Sequence, residues 1–127
     1  MAGKIIADQI EHSTAGSLDT SYVVNGSAKA WVTFNTTQVV QDSLNTSSIT
    51  DNSAGDQTGN WSNNFTGNTY AALYDANGTA NNNALGGNGP SPVVVNRTSS
   101  SSRVQMYNDG SYEDSLWNSL IAIGDLA

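Results

Sequence analysis

The sequence predicts an all-β fold: an antiparallel, jelly-roll-like β-sandwich forming one domain over residues 25–127, with a short N-terminal arm over 1–24. Three observations predict it. Ala28–Asn35 alternates, with Ala30, Val32 and Phe34 pointing one way and Lys29, Trp31 and Thr33 the other. That period of two, carried by aromatic and β-branched residues, marks a half-buried strand. About eight short runs of this kind, separated by turn-forming clusters, recur along the chain, as sandwiches and barrels require. Composition argues that the chain folds: Asn, Ser and Thr make up 45 of the 127 residues and only 12% is charged, yet three Trp, five Tyr and two Phe remain. Disordered chains are charge-rich and poor in aromatics.

Taken in order, residues 4–11 carry Ile5, Ile6 and Ile10 among Asp8, Gln9 and Glu11, and helix and strand both fit. Residues 12–20 read as a loop. Ser21-Tyr22-Val23-Val24 reads as a strand stopped by the turn dipeptide Asn25-Gly26. Strand 28–35 follows, then weaker alternation over 38–45 and a short strand at 47–50. Asp51-Asn52-Ser53-Ala54-Gly55-Asp56 is a cluster of turn formers. Residues 58–65 hold Trp61 and Phe65 among Asn and Ser. Thr69–Tyr74 is a better strand, closed by Asp75-Ala76-Asn77-Gly78.

Residues 76–92, with Asn81-Asn82-Asn83, Gly86-Gly87, Gly89-Pro90 and Pro92, read as a long loop. Such a loop serves as a contact surface or is a plain surface excursion; the second is favoured, because insertions cost little. Strands restart at 92–96 and 102–107, the latter ending at the hairpin signal Asn108-Asp109-Gly110. Residues 114–124 fit helical spacing through Leu116, Trp117, Leu120 and Ile121, and alternation through Trp117, Ile121 and Ile123.

The chemistry-bearing residues are sparse. The formal charge of −7, from four basic and eleven acidic residues, opposes binding to phosphate backbones, so nucleic acid is not an expected partner. With no cysteine, the chain builds neither disulfides nor thiolate metal sites. Its single histidine, His12, sits in a polar stretch and reads as a surface residue. No metalloprotease, P-loop or nucleophile-elbow spacing occurs. The Asp51–Asp56 oxygens lack the ligand spacing of a Ca²⁺ loop, and a turn explains them. Glu113 and Asp114 are adjacent and on a strand face opposite sides, a poor carboxylate pair. No enzyme activity, cofactor or metal is therefore expected.

Seven Asn-x-Ser/Thr triplets follow from composition. Asp8 and Glu11 interrupt the N-terminus before a signal-peptide core forms, and no segment approaches the length of a membrane span. Synthesis in a cytoplasm and no membrane partner are the expectations. Trp31, Trp61 and Trp117 are read first as core or subunit-interface residues. Trp61, between Asn60 and Ser62-Asn63-Asn64, is also the candidate sugar-stacking platform, with Asn81, Asn82 and Asn83 of the loop as further receptor or glycan contacts.

Two blocks carry a resemblance. They are 25–56, with Asn25-Gly26-Ser27-Ala28-Lys29-Ala30-Trp31-Val32-Thr33-Phe34-Asn35, Asp42-Ser43, Ser47-Ser48-Ile49-Thr50-Asp51-Asn52 and Gly55-Asp56, and 102–126, with Arg103-Val104-Gln105-Met106-Tyr107-Asn108 and Ile123-Gly124-Asp125-Leu126. Together they resemble a structural module of tailed-phage virions, found at tail-fibre tips and in small particle-surface proteins. The middle departs from it: after Gly55-Asp56, where the module continues with an alternating aromatic strand, this chain has Gln57-Thr58-Gly59-Asn60-Trp61.

The resemblance implies a closing strand over 114–124. It implies a non-enzymatic virion protein, assembled in the host cytoplasm and generally homotrimeric. Partners would be the major capsid protein or tail proteins, with Ile5, Ile6 and Ile10 of the arm as candidate particle anchors. Capsid decoration (cement) or a head fibre is the first reading. The second is a tail-fibre or tail-tip module that binds a receptor or host-surface glycan.

Overall fold

The computed structural model describes residues 6–13, 16–77, 91–108 and 110–127. It is an all-β sandwich of two antiparallel sheets, fronted by a hairpin and one short helix. The arm contains β1 (Gln9–His12), β2 (Gly16–Asp19) and α1 (Thr20–Gly26). Sheet I has the order β4 (Val40–Leu44), β3 (Ala28–Asn35), β11 (Trp117–Ile123), β7 (Ala71–Asn77). Sheet II has β5 (Thr46–Ser53), β6 (Asp56–Trp61) and β9 (Ser101–Asn108), with β8 (Ser91–Thr98) and the two-residue β10 (Ser111–Tyr112) both paired to β9.

The alternation predicted for 28–35 is realised in β3, where Ala30, Val32 and Phe34 are buried and the residues between them are not. β11 supplies Leu120 and Ala122 from the same sheet. Trp61 and Val104 face them from sheet II, and Phe65 and Tyr70 close the core from the connection between β6 and β7. Phe65 stacks on Tyr70 with ring centroids 4.1 Å apart, and Trp61 meets Phe65 edge-on at 6.0 Å. Three aromatic rings thus fill one end of the core. The sheets are close elsewhere: a Cβ on Gly59 would lie 2.9 Å from the Leu120 Cδ2.

Within the run 114–124, residues Trp117–Ile123 form the strand β11, paired to both β3 and β7, while 114–116 precede it without strand structure. Two of the arm's expected elements are corrected. Residues 21–24 are helical, not a strand, and the stretch read as a loop holds β2. Asp19 explains the helix: its carboxylate accepts a 2.8 Å bond from the Ser21 backbone N–H and caps the first turn. No sheet edge claims Tyr22, Val23 or Val24, so their β propensity finds no partner.

The β5–β6 hairpin turns at Gly55, whose φ is +64°. A Cβ there would sit 2.6 Å from both the Glu113 N and the Met106 O. Gly55→Ala therefore combines left-handed strain with a clash against backbone that cannot swing aside. It is expected to cost about 2–4 kcal/mol, read as a lower urea midpoint at unchanged m-value.

Candidate functional site

Because β-strands alternate, each sheet has one face in the core and one turned outward. The two outward faces differ in chemistry, and together they are the candidate site.

On sheet I the register places Leu44 opposite Trp31, Trp31 opposite Ile121, and Ile121 opposite Leu73. One residue from each of the four strands forms an unbroken apolar row across the sheet. Leu73 is 66% exposed and Leu44 48%, with Trp31 and Ile121 partly covered between them. Trp31, Ile121 and Leu73 of the row line a shallow, mainly apolar groove of about 500 Å³. The next row is polar, with Asp42, Thr33, Ser119 and Asp75 in register. Beyond it Trp117, opposite both Asn35 and Asn77, is 60% exposed.

The outward face of sheet II is built on side-chain hydrogen bonds. Asn60 donates through Nδ2 to the Thr50 hydroxyl (2.9 Å) and the Ser48 hydroxyl (3.1 Å). Asn52 donates to the Thr58 hydroxyl and to Asp56. Asp56 is 4% exposed, because its carboxylate accepts from the Arg103 Nε at 2.8 Å, the Arg103 Nη2, the Gln105 Nε2 at 2.7 Å and Asn52. At one end of this face Tyr107 and Tyr112 stand opposite each other on β9 and β10. Their rings meet edge-to-face at 5.2 Å, and both are about half exposed.

The Arg103 guanidinium, with help from Gln105 and Asn52, holds the Asp56 carboxyl down at about 2. A depressed carboxylate stabilises the fold above its unfolded value and loses that contribution as pH falls through its folded value. Asp56→Asn is therefore expected to cost about 1–2 kcal/mol at pH 7, limited by the exposure of Arg103. The gap to the parent should close between pH 4 and about 2. Urea unfolding across that range checks it.

Behind the outward faces, the Tyr74 hydroxyl donates to the Asn118 Oδ1 at 2.6 Å, and burial pushes its pKa far above the usual phenol range. Asp114 accepts from the Gly55 N–H and the Gln57 Nε2, both at 2.8 Å, whereas Glu113 accepts from Asn108 and Ser111. The two carboxylates serve different partners. Of the run Asp51–Asp56, read as a turn, only Ala54 and Gly55 form the β5–β6 turn; Asp51–Ser53 end β5, and Asp56 opens β6 and is engaged by Arg103. Among the described residues no group of three or more His, Asp or Glu converges on one point.

The sequence-predicted contacts fall unevenly. Trp61 does not serve as an open sugar platform: it is 5% exposed, lies in the core, and donates its indole N–H to the Tyr70 hydroxyl at 3.2 Å. Of its polar neighbours, Asn60 turns outward by the alternation of β6, and Ser62–Asn64 lie exposed in the connection beyond the strand. Asn81, Asn82 and Asn83, and Ile5 of the arm, lie outside the described residues. Ile6 is 82% exposed, and Ile10 (53%) faces Leu18 (47%) across the arm hairpin. Tyr22, Val23 and Val24 on α1 are exposed as well, and the helix buries no residue.

The apolar row and the tyrosine pair escaped sequence reasoning. Alternation shows that Trp31 and Tyr107 point outward, but only register shows what stands beside them. No protein-family model matches the chain, and neither a curated protein nor a solved structure matches it significantly.

Proposed function

We propose that this chain is a non-enzymatic structural protein of a tailed-phage virion. It acts as a small homotrimer mounted on the particle surface, as a capsid decoration (cement) or head-fibre protein. The observation that carries this reading is the Leu44–Trp31–Ile121–Leu73 row, a contiguous apolar strip facing outward on a sheet. Contiguous patches of that kind mark interaction sites. The likeness of 25–56 and 102–126 to the phage module supplies the particle context.

The occupant of the row is a second copy of the chain. Four strands at their usual spacing and five residues of length give a face of roughly 300–400 Å². A stable complex buries about 800 Å² on each partner. The row alone supplies less than half, and the exposed Ile10, Leu18, Tyr22 and Val24 of the arm supply further apolar surface. A hairpin with four-residue strands and a seven-residue helix are too short to persist alone in water. Seating the arm on a neighbour, either another copy or the underlying particle protein, gives it the burial it lacks.

Light scattering on the purified chain and its copy number in purified virions test this reading. Trimers, with a copy number comparable to the major capsid protein, are the expected result for a decoration protein. A monomer absent from particles overturns it.

A further inference from the structure

We infer that the outward face of sheet II binds a neutral glycan at the end bearing Tyr107 and Tyr112. The inference stands apart from the assembly reading, because it uses the opposite sheet.

Glycan recognition needs an aromatic surface for the apolar C–H face of a sugar ring, and fixed donors and acceptors for its hydroxyls. Tyr107 and Tyr112 provide the first. They are 44% and 51% exposed, yet each ring is braced by the other at 5.2 Å and 78°. Tyrosine has few rotatable bonds, and a braced pair loses little further freedom on binding.

Arg103 and Gln105 provide the second. They lie four and two residues before Tyr107 on the same strand, so all three side chains share one face. The Arg103 Nε and Nη2 and the Gln105 Nε2 are anchored on Asp56. This fixes the remaining guanidinium N–H groups and the Gln105 carbonyl on the face that carries Tyr107. Donors and acceptors held before the ligand arrives cost less to engage. A hydroxyl, which both donates and accepts, matches that mixture.

Charge selects the class of glycan. Asp56 neutralises Arg103, so the face has no net cation to attract a polyanion, and the chain carries −7. Uronic-acid and sulfated polymers are repelled, as nucleic acid is. A protein partner is less well matched: beside the tyrosines the exposed apolar residues are only Val93, opposite Gln105, and Val95, and the rest of the face is a hydrogen-bonded ladder of Ser, Thr and Asn where a protein interface keeps its apolar centre.

Native-gel affinity electrophoresis of the whole chain tests the proposal, in gels cast with dextran, yeast mannan, galactomannan or mixed-linkage β-glucan, and with alginate as the acidic polymer. At least one neutral polysaccharide should retard the protein and alginate should not. Tyr112→Ala and Gln105→Ala should each weaken the retardation roughly tenfold, the first melting like the parent and the second, which loses one hydrogen bond to Asp56, melting somewhat lower but in one cooperative transition. Both side chains lie outside the core, so both variants are expected to fold, and Gln105→Ala decides the matter if Tyr112→Ala does not. No retardation by any neutral polysaccharide, retardation by alginate alone, or undiminished retardation of the folded variants overturns the proposal.

Discussion

Replacing Phe65 with alanine should remove about 3–5 kcal/mol from the unfolding free energy, a large share of the roughly 5–15 kcal/mol that holds a domain of this size. The residue sits in no strand beyond a single bridge to Leu126, but it is 1% exposed and lies between Tyr70 and Trp61. Its backbone is fixed by a 2.8 Å bond from its N–H to the Ser99 carbonyl. The cavity left by the ring therefore cannot close by local collapse. Tyr70→Phe is the companion measurement. It keeps the ring and deletes a hydroxyl that accepts from Trp61 and contacts the Ser101 carbonyl and the Ser102 hydroxyl, both at 2.7 Å. Leaving those groups buried without that partner should cost about 1–3 kcal/mol. Equilibrium urea unfolding followed by tryptophan fluorescence measures both. A Phe65→Ala loss below that of Tyr70→Phe would remove the aromatic cluster from its central place in the account.

On the proposed assembly, Leu73→Lys is expected to convert the oligomer to monomer while leaving the monomer's stability within about 0.5 kcal/mol of the parent. In an isolated chain the lysine simply extends into water from a position already 66% exposed. In a complex seated on the row, the same ammonium would be desolvated beside Ile121 with no carboxylate in its own row, at a cost of several kcal/mol. Ile121→Lys should act alike and more strongly, because Ile121 lies at the middle of the row. Multi-angle light scattering over a range of concentrations reads the result. An unchanged mass for both variants means that the row is not where copies meet.

Strands were legible wherever one face was buried and the other wet. Ala28–Asn35 and Ser102–Tyr107 could be read from alternation alone, because burial imposes the period. The helix at 20–26 was not, since a Tyr-Val-Val run looks like a strand until the capping bond of Asp19 is counted. Trp61, read first as a core residue, is one; its second reading as an open platform came from four polar neighbours, but Asn60 turns outward by the alternation of β6 and Ser62–Asn64 lie in the exposed connection beyond the strand. The two outward faces were illegible in principle. Leu44, Trp31, Ile121 and Leu73 are scattered over four strands, and Asp56 lies 47 residues from Arg103. The partnership of such residues is a property of register, and register is written in the pairing of whole strands.

The polypeptide enters and leaves the sandwich at one pole. Thr66 donates its N–H to the Asp125 carbonyl and Ala127 to the Asn64 carbonyl, and Asn25, where the arm joins, lines the same depression as Thr66 and Asp125. Tyr107, Tyr112 and the Gly55 turn lie at the other pole, where β9 ends and β6 begins. The intervening strand of eight residues spans roughly 25 Å. Any support holding this chain by the arm or by its C-terminal residues would present the tyrosines outward, toward whatever approaches. A fusion or surface tether should accordingly be made at the C-terminal residues, and a label at Ser111 would report contact with the far side.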